Sequence, residues 1–235
     1  MTRRRWIADR VERDRAYLLG QNAAHLVRVL RVRVGEEFEV VAEGALRLGK
    51  VVLATDVKVE FQLGEEIASA ALPHIAVFLS IFKFDRLEWA LEKLTELGVA
   101  AITPVIAQRS GQHLVKAATT RLTRWRKIVH EAAQQSRRVA PPDVAEPVPL
   151  NKILSATHGS HIVLSEAEQG ISLKAALADA RTPVALAFGP EGGWTEQELK
   201  FFMDAGWKSA SLGRTILRAE TAAIAAVAVA MAEMS

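Results

Sequence analysis

Apolar and polar positions alternate over Val57, Val59, Phe61 and Leu63 against Lys58, Glu60 and Gln62. That is the period of two expected of a strand with one buried face. EEFEVV (36–41) and RLGKVVLAT (47–55) are similar short runs rich in β-branched residues, punctuated by Gly35, Gly44 and Gly64. Short strands at this spacing predict a small β-barrel over residues 1–70. NAAHLVRVLRV (22–32) predicts a helix with Asn22 as its cap.

After Pro73 the pattern changes. HIAVFLSIF (74–82) is almost continuously apolar, as in a strand buried on both faces. Leu87, Ala90, Leu91, Leu94 and Leu97 then follow helical spacing, with Asp85 and Glu88 as an expected capping box and Gly98 as the stop. VAAITPVIA (99–107) reads as a strand, residues 119–138 as a basic helix, and VAPPDVAEPVPL as a loop. HIVLSE (161–166) and VALAF (184–188) read as strands, with a helix over 172–180 between them. A helix capped by Thr195 with Glu198 three residues on, a short strand at 208–213 and a last helix from about Glu220 complete the chain. Alternating strands and helices predict an α/β domain over 73–235, built on a parallel sheet with its ligands at the C-terminal strand ends. The last helix, TAAIAAVAVAMA, is apolar on every side, which favours burial partly in a subunit interface over burial in the monomer alone.

Composition narrows the chemistry. There is no cysteine among the 235 residues, so disulfides, thiolate metal sites and a cysteine nucleophile are excluded, and a reducing compartment fits. The first residues, MTRRRWIADR, lack the apolar core of a signal peptide. The longest apolar stretch, Ala222 to Ala232, is too short to span a bilayer. A cytoplasmic protein without a membrane segment is expected. Net charge is only +3, but residues 109–138 hold eight basic side chains against Glu131 alone. Such a segment is either the footprint of a polyanion or a solvated helix face. Only His158 and His161 show metal-ligand spacing, and no metal is expected. The five tryptophans are read as packing residues.

Two loops draw the attention. GPEGG (189–193) follows an apolar strand and offers three glycines for close backbone approach. LGRTILRAET (212–221) follows the last strand and runs into the final helix. No Walker lysine follows the first, so it is not a Walker loop, and a nucleotide-phosphate module is the most distant of the readings. Together they predict a backbone-lined slot for a flat polar ligand such as a nucleoside.

FGPEGGWTEQEL followed by SLGRTILRAETAAIAA resembles the two C-terminal signatures of the RsmE family. These are SPOUT-class enzymes that methylate N3 of uracil in small-subunit ribosomal RNA. HLVRVLRVRVGEEFEVV, LEKLTELGVAAITPVIAQRS and RWRKIVHEAAQQSRR resemble three further motifs of that family, in the same order. The match runs over essentially the whole chain. It departs at Gln134, where relatives often carry Glu, and at EGALRLGK, where a shorter Asp-Gly hairpin is usual.

The resemblance implies an N-terminal PUA-like, RNA-binding β-barrel and a C-terminal trefoil-knotted SPOUT α/β domain. It implies S-adenosylmethionine as cofactor, bound in a bent shape, with Leu164, Gly189, Pro190, Gly192, Leu212, Gly213, Ile216 and Leu217 as its wall. It implies 16S ribosomal RNA within the small subunit as partner, a homodimer, and RNA contacts from Arg3, Arg4, Arg5, Arg28, Arg31 and Lys83. For catalysis it leaves two routes open. A carboxylate, Glu191 or Glu220, is one, acting as general base on the N3 proton. An arginine, Arg138 before Arg109, is the other, stabilising charge on O2 or O4. Rival readings are a SPOUT ribose 2′-O-methyltransferase and a non-enzymatic RNA-binding assembly protein.

Overall fold

A computed structural model describes residues 5–68, 71–153 and 159–234. The chain forms two compact units, one of Met1–Ala71 with Ala133–Ala140, the other of Leu72–Ala132 with Pro141–Ser235.

The first unit is a six-stranded sheet. Its strands are β1 (Arg5–Ile7), β2 (Arg10–Glu12), β3 (Arg15–Leu19), β4 (Glu37–Ala42), β5 (Ala45–Ala54) and β6 (Lys58–Glu66), in the order β1-β4-β5-β6-β3-β2. All pairings are antiparallel except β1 with β4. The alternation holds within β6, where Val59, Phe61 and Leu63 are buried with Leu18, Val40 and Val51; Val57, read with them, precedes the strand and is exposed. Gly49 marks a close approach in this core, since a Cβ there would stand 2.5 Å from Val40 Cγ2. Glu43 and Gly44, with φ of 51° and 80°, form the tight β4–β5 connection that suits the twist of paired strands. The helix expected at 22–32 is different. α1 (Gly20–Ala24) starts after Leu19 with no side-chain cap, and a π-helical turn, His25–Val29, continues it. Asn22 lies inside α1, and its Nδ2 donates to Asp9 Oδ1 at 3.3 Å. The chain turns at Gly20, whose φ is +53°, so the helix begins two residues before the residue read as its cap.

The second unit holds β7 (Ile75–Ser80), α2 (Phe84–Glu96), β8 (Ala101–Ile106), α3 (Gln112–Gln135, in this unit as far as Ala132), β9 (Asp143–Val144), β10 (Val148–Pro149) and α4 (Leu150–Ile153). Then follow β11 (Ser160–Leu164), α5 (Leu173–Leu177), β12 (Val184–Phe188), α6 (Glu196–Asp204), β13 (Lys208–Ala210) and α7 (Ala219–Met234). The sheet order is β10-β8-β7-β12-β11-β13, with β9 paired to β8. Every pairing is parallel. β12 is buried at all five positions, as a strand covered on both faces must be. It sits between β7 and β11, so the turn that follows it leaves from the middle of the sheet.

α2 buries Leu87, Ala90, Leu91 and Leu94 as its spacing predicts. The expected Asp85–Glu88 box does not form. Lys83 occupies the cap position with no side-chain bond, and Glu88 instead accepts from Arg124 Nε at 2.8 and 2.9 Å. The helix starts at Phe84, so Asp85 lies within its first turn and not at the cap. The stretch read as a loop, residues 139–150, contains two short strands, because β8 offers two further pairing segments, and ends where α4 begins.

Candidate active site

Three strands end side by side at Leu164, Phe188 and Ala210. Beyond those ends lies a cavity of about 310 Å³, at the lower edge of ligand-pocket sizes, roughly 300–1,000 Å³. Its walls are Leu164, Ser165 and Glu166 after β11, Phe188, Gly189, Pro190, Glu191 and Gly193 after β12, residues 211–213 and 215–219 after β13, Ala222 of α7 and Arg86 of α2. Of the expected cofactor residues, Leu164, Gly189, Pro190, Leu212, Gly213, Ile216 and Leu217 line this cavity. Gly192 does not line it; its carbonyl accepts from Arg109 NH1 at 2.6 Å.

The Gly-rich turn is held from several sides. Gly193 N–H donates to the Pro190 carbonyl at 2.8 Å, and its φ of +68° is one that glycine adopts without strain. A Cβ on Gly193 would lie 2.3 Å from Glu166 Oε1, so the missing side chain makes room for that carboxylate at the cavity wall. Trp194 Nε1 donates to the Leu164 carbonyl at 3.2 Å, tying the turn to the end of β11. The box at Thr195 and Glu198 forms as read. Glu198 also accepts from Gln108 N–H at 2.7 Å, besides Thr195 N–H at 2.8 Å and Thr195 Oγ1 at 3.0 Å. That buried carboxylate therefore meets three donors, which offsets its loss of water. It joins the Gly-rich turn to the loop after β8. Arg109 makes the same junction, donating to Trp194 O at 3.3 Å as well as to Gly192 O.

Charge at the cavity comes from Arg86, Glu166, Glu191 and Arg218. Arg86 NH1 donates to Glu191 Oε1 at 2.8 Å, and Arg86 Nε stands 3.7 Å from Glu220 Oε1. Glu220 is only 4% exposed, and its Oε2 has no hydrogen-bond partner among the described residues. Sequence reading missed Arg86 and Glu166. Glu166 had a usable signal, since it follows a strand's C-terminal end directly. Arg86 had none, because its partners lie more than a hundred positions along the chain.

The other expected residues lie elsewhere. Arg138 is in the first unit, where burial holds its guanidinium pKa below the ordinary value. Arg5 donates to Glu39 at 3.0 Å and to the Arg137 carbonyl, so it serves the first unit's own structure. Arg28 is exposed and paired with Asp56 at 2.7 Å. Arg31, with φ of 53°, and Lys83 are exposed. Arg3 and Arg4 fall outside the described residues, as does His158. Much of the basic run on α3 has local partners: Arg124 pairs with Glu88, Arg126 donates to the Val144 carbonyl at 3.0 and 3.1 Å, and Lys127 stands 3.7 Å from Glu131. Among the described residues there is no cluster of three or more metal-ligating side chains and no helix long and apolar enough to cross a membrane.

Residues 70–231 match the model of the RNA methyltransferase domain family. The chain is 29% identical over 221 residues to ribosomal RNA small subunit methyltransferase E of Aquifex aeolicus, covering 93% of this chain and 95% of that protein. It is 32% identical over 213 residues to the protein of the same name from Synechocystis, covering 87% and 68%. Among solved structures, the S-adenosyl methionine complex of ribosomal RNA small subunit methyltransferase E from Neisseria gonorrhoeae superposes with a TM-score of 0.81. Its identity is 30%, with 96% of this chain and 95% of that chain covered.

Proposed function

The chain belongs to the ribosomal RNA small subunit methyltransferase E family, and from that premise we propose that it methylates N3 of a uridine in 16S ribosomal RNA, using S-adenosylmethionine. The observation that carries the reading is the cavity where the GPEGG and LGRTILRAET loops meet at the ends of three parallel strands. Its residues fit the cofactor. Leu164, Leu212, Ile216 and Leu217 supply apolar walls, and the glycines expose backbone groups to hold an adenine edge. When bound, the cofactor supplies an activated methyl group on a sulfonium, so no metal is needed.

We read the first unit as a PUA-like barrel over 1–70 and the second as a knotted SPOUT domain over 73–235. The curled six-stranded sheet and the insertion of β12 between β7 and β11 support this. N3 of uracil carries its proton at neutral pH, so the protein must assist its loss. Arg138 is our candidate for stabilising charge on O2 or O4, since an arginine keeps its charge even when partly buried. Arg109 is better supported as a holder of the Gly-rich turn, and Glu191 as an ion-pair anchor, than either is as a group in the chemistry. Exposed Arg31 and Lys83, with Arg28, are the phosphate-contact candidates. A homodimer is supported by α7, which leaves Thr221, Ala228 and Ala232 exposed along one stripe.

The test is methyl transfer from labelled S-adenosylmethionine to small subunits lacking the modification, to naked ribosomal RNA and to transfer RNA. Nucleoside mass spectrometry then identifies the product. Labelled 3-methyluridine from subunits is the expected result. Ribose label, or label in transfer RNA, would move the protein to another SPOUT class, and no label with no cofactor bound would leave an RNA-binding protein.

A further inference from the structure

Arg86 stands where three elements meet. It lies in the first turn of α2 and lines the cavity. Its NH1 reaches Glu191 in the Gly-rich turn at 2.8 Å. Its Nε is 3.7 Å from Glu220 in the first turn of α7. The two loops that form most of the cavity wall are thus anchored to one guanidinium on a third element. A guanidinium suits this task because its five donors leave in fixed directions from one plane.

The electrostatics give the arrangement its force. Glu220 is 4% exposed, its Oε2 has no partner among the described residues, and Arg86 Nε stands 3.7 Å from its Oε1. A buried carboxylate deprived of its cation is strongly unfavourable. Without the arginine that contacts both, Glu191 and Glu220 would be two like charges with no cation between them, which drives the Gly-rich turn and the start of α7 apart. The N-terminus of α7 favours a carboxylate in its first turn, but that holds Glu220 alone and does nothing for Glu191.

We propose that Arg86 is a positioning residue, bridging Glu191 and Glu220 so that the Gly-rich turn and the start of α7 keep the spacing the cofactor needs. This rests on the reading of the cavity as a S-adenosylmethionine site. The bridge acts through the two loops and takes no part in the methyl transfer.

The experiment compares wild-type protein with Arg86→Met, Arg86→Lys and Glu191→Gln. Three quantities are read: S-adenosylmethionine affinity by calorimetry, kcat and KM for methyl transfer, and hydrogen exchange of the Glu191, Gly192 and Gly193 amides in ligand-free protein. Arg86→Met is expected to weaken cofactor binding by about tenfold or more, to raise KM for the cofactor more than it lowers kcat, and to speed exchange in the turn. Arg86→Lys, which keeps the charge without the fork, should recover part of each effect, and Glu191→Gln should fall between. Wild-type affinity and exchange in both Arg86→Met and Glu191→Gln would overturn the bridge, and so would a kcat loss with KM and exchange unchanged. Should Arg86→Met fail to fold, Glu191→Gln decides alone: a weakened site with faster exchange supports the bridge, and wild-type behaviour refutes it. If wild-type protein binds no cofactor, the functional reading fails, while exchange in the ligand-free turn still decides whether Arg86 holds it.

Discussion

At the scale of single residues, Glu198 carries the clearest energetic consequence. Its buried carboxylate joins the cap of α6 to the loop after β8 through three donors. Replacing it with Ala leaves those donors without an acceptor and removes the return half of the capping box, while Thr195 keeps its own bond to the residue-198 N–H. A loss of about 2–4 kcal/mol is expected in denaturant melts; a change under about 0.5 kcal/mol would mean that water replaces the carboxylate fully. His161 offers a pH test. Its ring lies 5.1 Å from that of Trp207, and burial holds its pKa below the ordinary 6.5. The folded state then binds fewer protons there than the unfolded chain. The stabilisation is present above 6.5 and is lost as pH falls through the unfolded and then the folded pKa. Stability of wild-type protein should therefore decline more steeply than that of His161→Phe below pH 6.5; parallel declines would remove His161 as a source. The residue scale also shows where spacing alone was enough. Thr195 and Glu198 are three apart and cap one helix, as read. Asp85 and Glu88 have the same spacing but no such box, because the helix begins at Phe84 and Asp85 lies inside it rather than at its cap.

At the scale of elements, α7 has one side packed within the chain and another open to solvent. Ala223, Ala226, Val227 and Ala230 are buried in the second unit's core, whereas Thr221, Ala228 and Ala232 are exposed. Ala226→Leu should overpack that core and cost about 1–3 kcal/mol in a denaturant melt. Ala228→Glu should leave the fold of the single chain intact and, by sedimentation, break the homodimer proposed for this stripe into monomers. A dimer that survives this change would not use that stripe. All-round apolarity of TAAIAAVAVAMA signalled burial, but it carried no information on which side faced which neighbour. β5 and β6 make the complementary point. Alternation along Val59, Phe61 and Leu63 was enough to assign both strand and buried face, because the period of two has a single solution.

For the whole molecule, the two units differ in what they should respond to. Calorimetric unfolding is expected to show two transitions, with S-adenosylmethionine raising only the second unit's, by about 2.7 kcal/mol at a hundredfold excess over Kd. One transition that shifts as a whole would mean the units unfold together. Affinity for the small ribosomal subunit should fall with salt. Arg31→Ala should reduce the slope of that dependence by about one, as expected for the loss of a phosphate contact. Arg5→Ala should leave the slope unchanged and lower stability instead, since Arg5 is held by Glu39 and Arg137. Equal slopes for wild type and Arg31→Ala would move the RNA contact elsewhere.

Local pattern by itself determined the elements around the site. Alternation marked β6, runs of β-branched residues marked β4 and β5, continuous apolar runs marked β7 and β12, and glycine with proline marked the turn after β12, whereas β1, β2 and β3 carried no such mark. These features report whether a residue faces core or solvent, and that follows from near neighbours in the chain. The ordered motifs also determined the family. Only the tertiary structure decided the strand order that sets β12 between β7 and β11 and brings three strand ends to one cavity. It alone decided that Arg86 meets Glu191 and Glu220, that Gln108 meets Glu198, and that Arg109 serves the backbone of the Gly-rich turn. The physical reason is common to all of these. A charge or a hydrogen bond acts over a few ångströms of space whatever the distance along the chain, so its partner is chosen by topology and not by spacing.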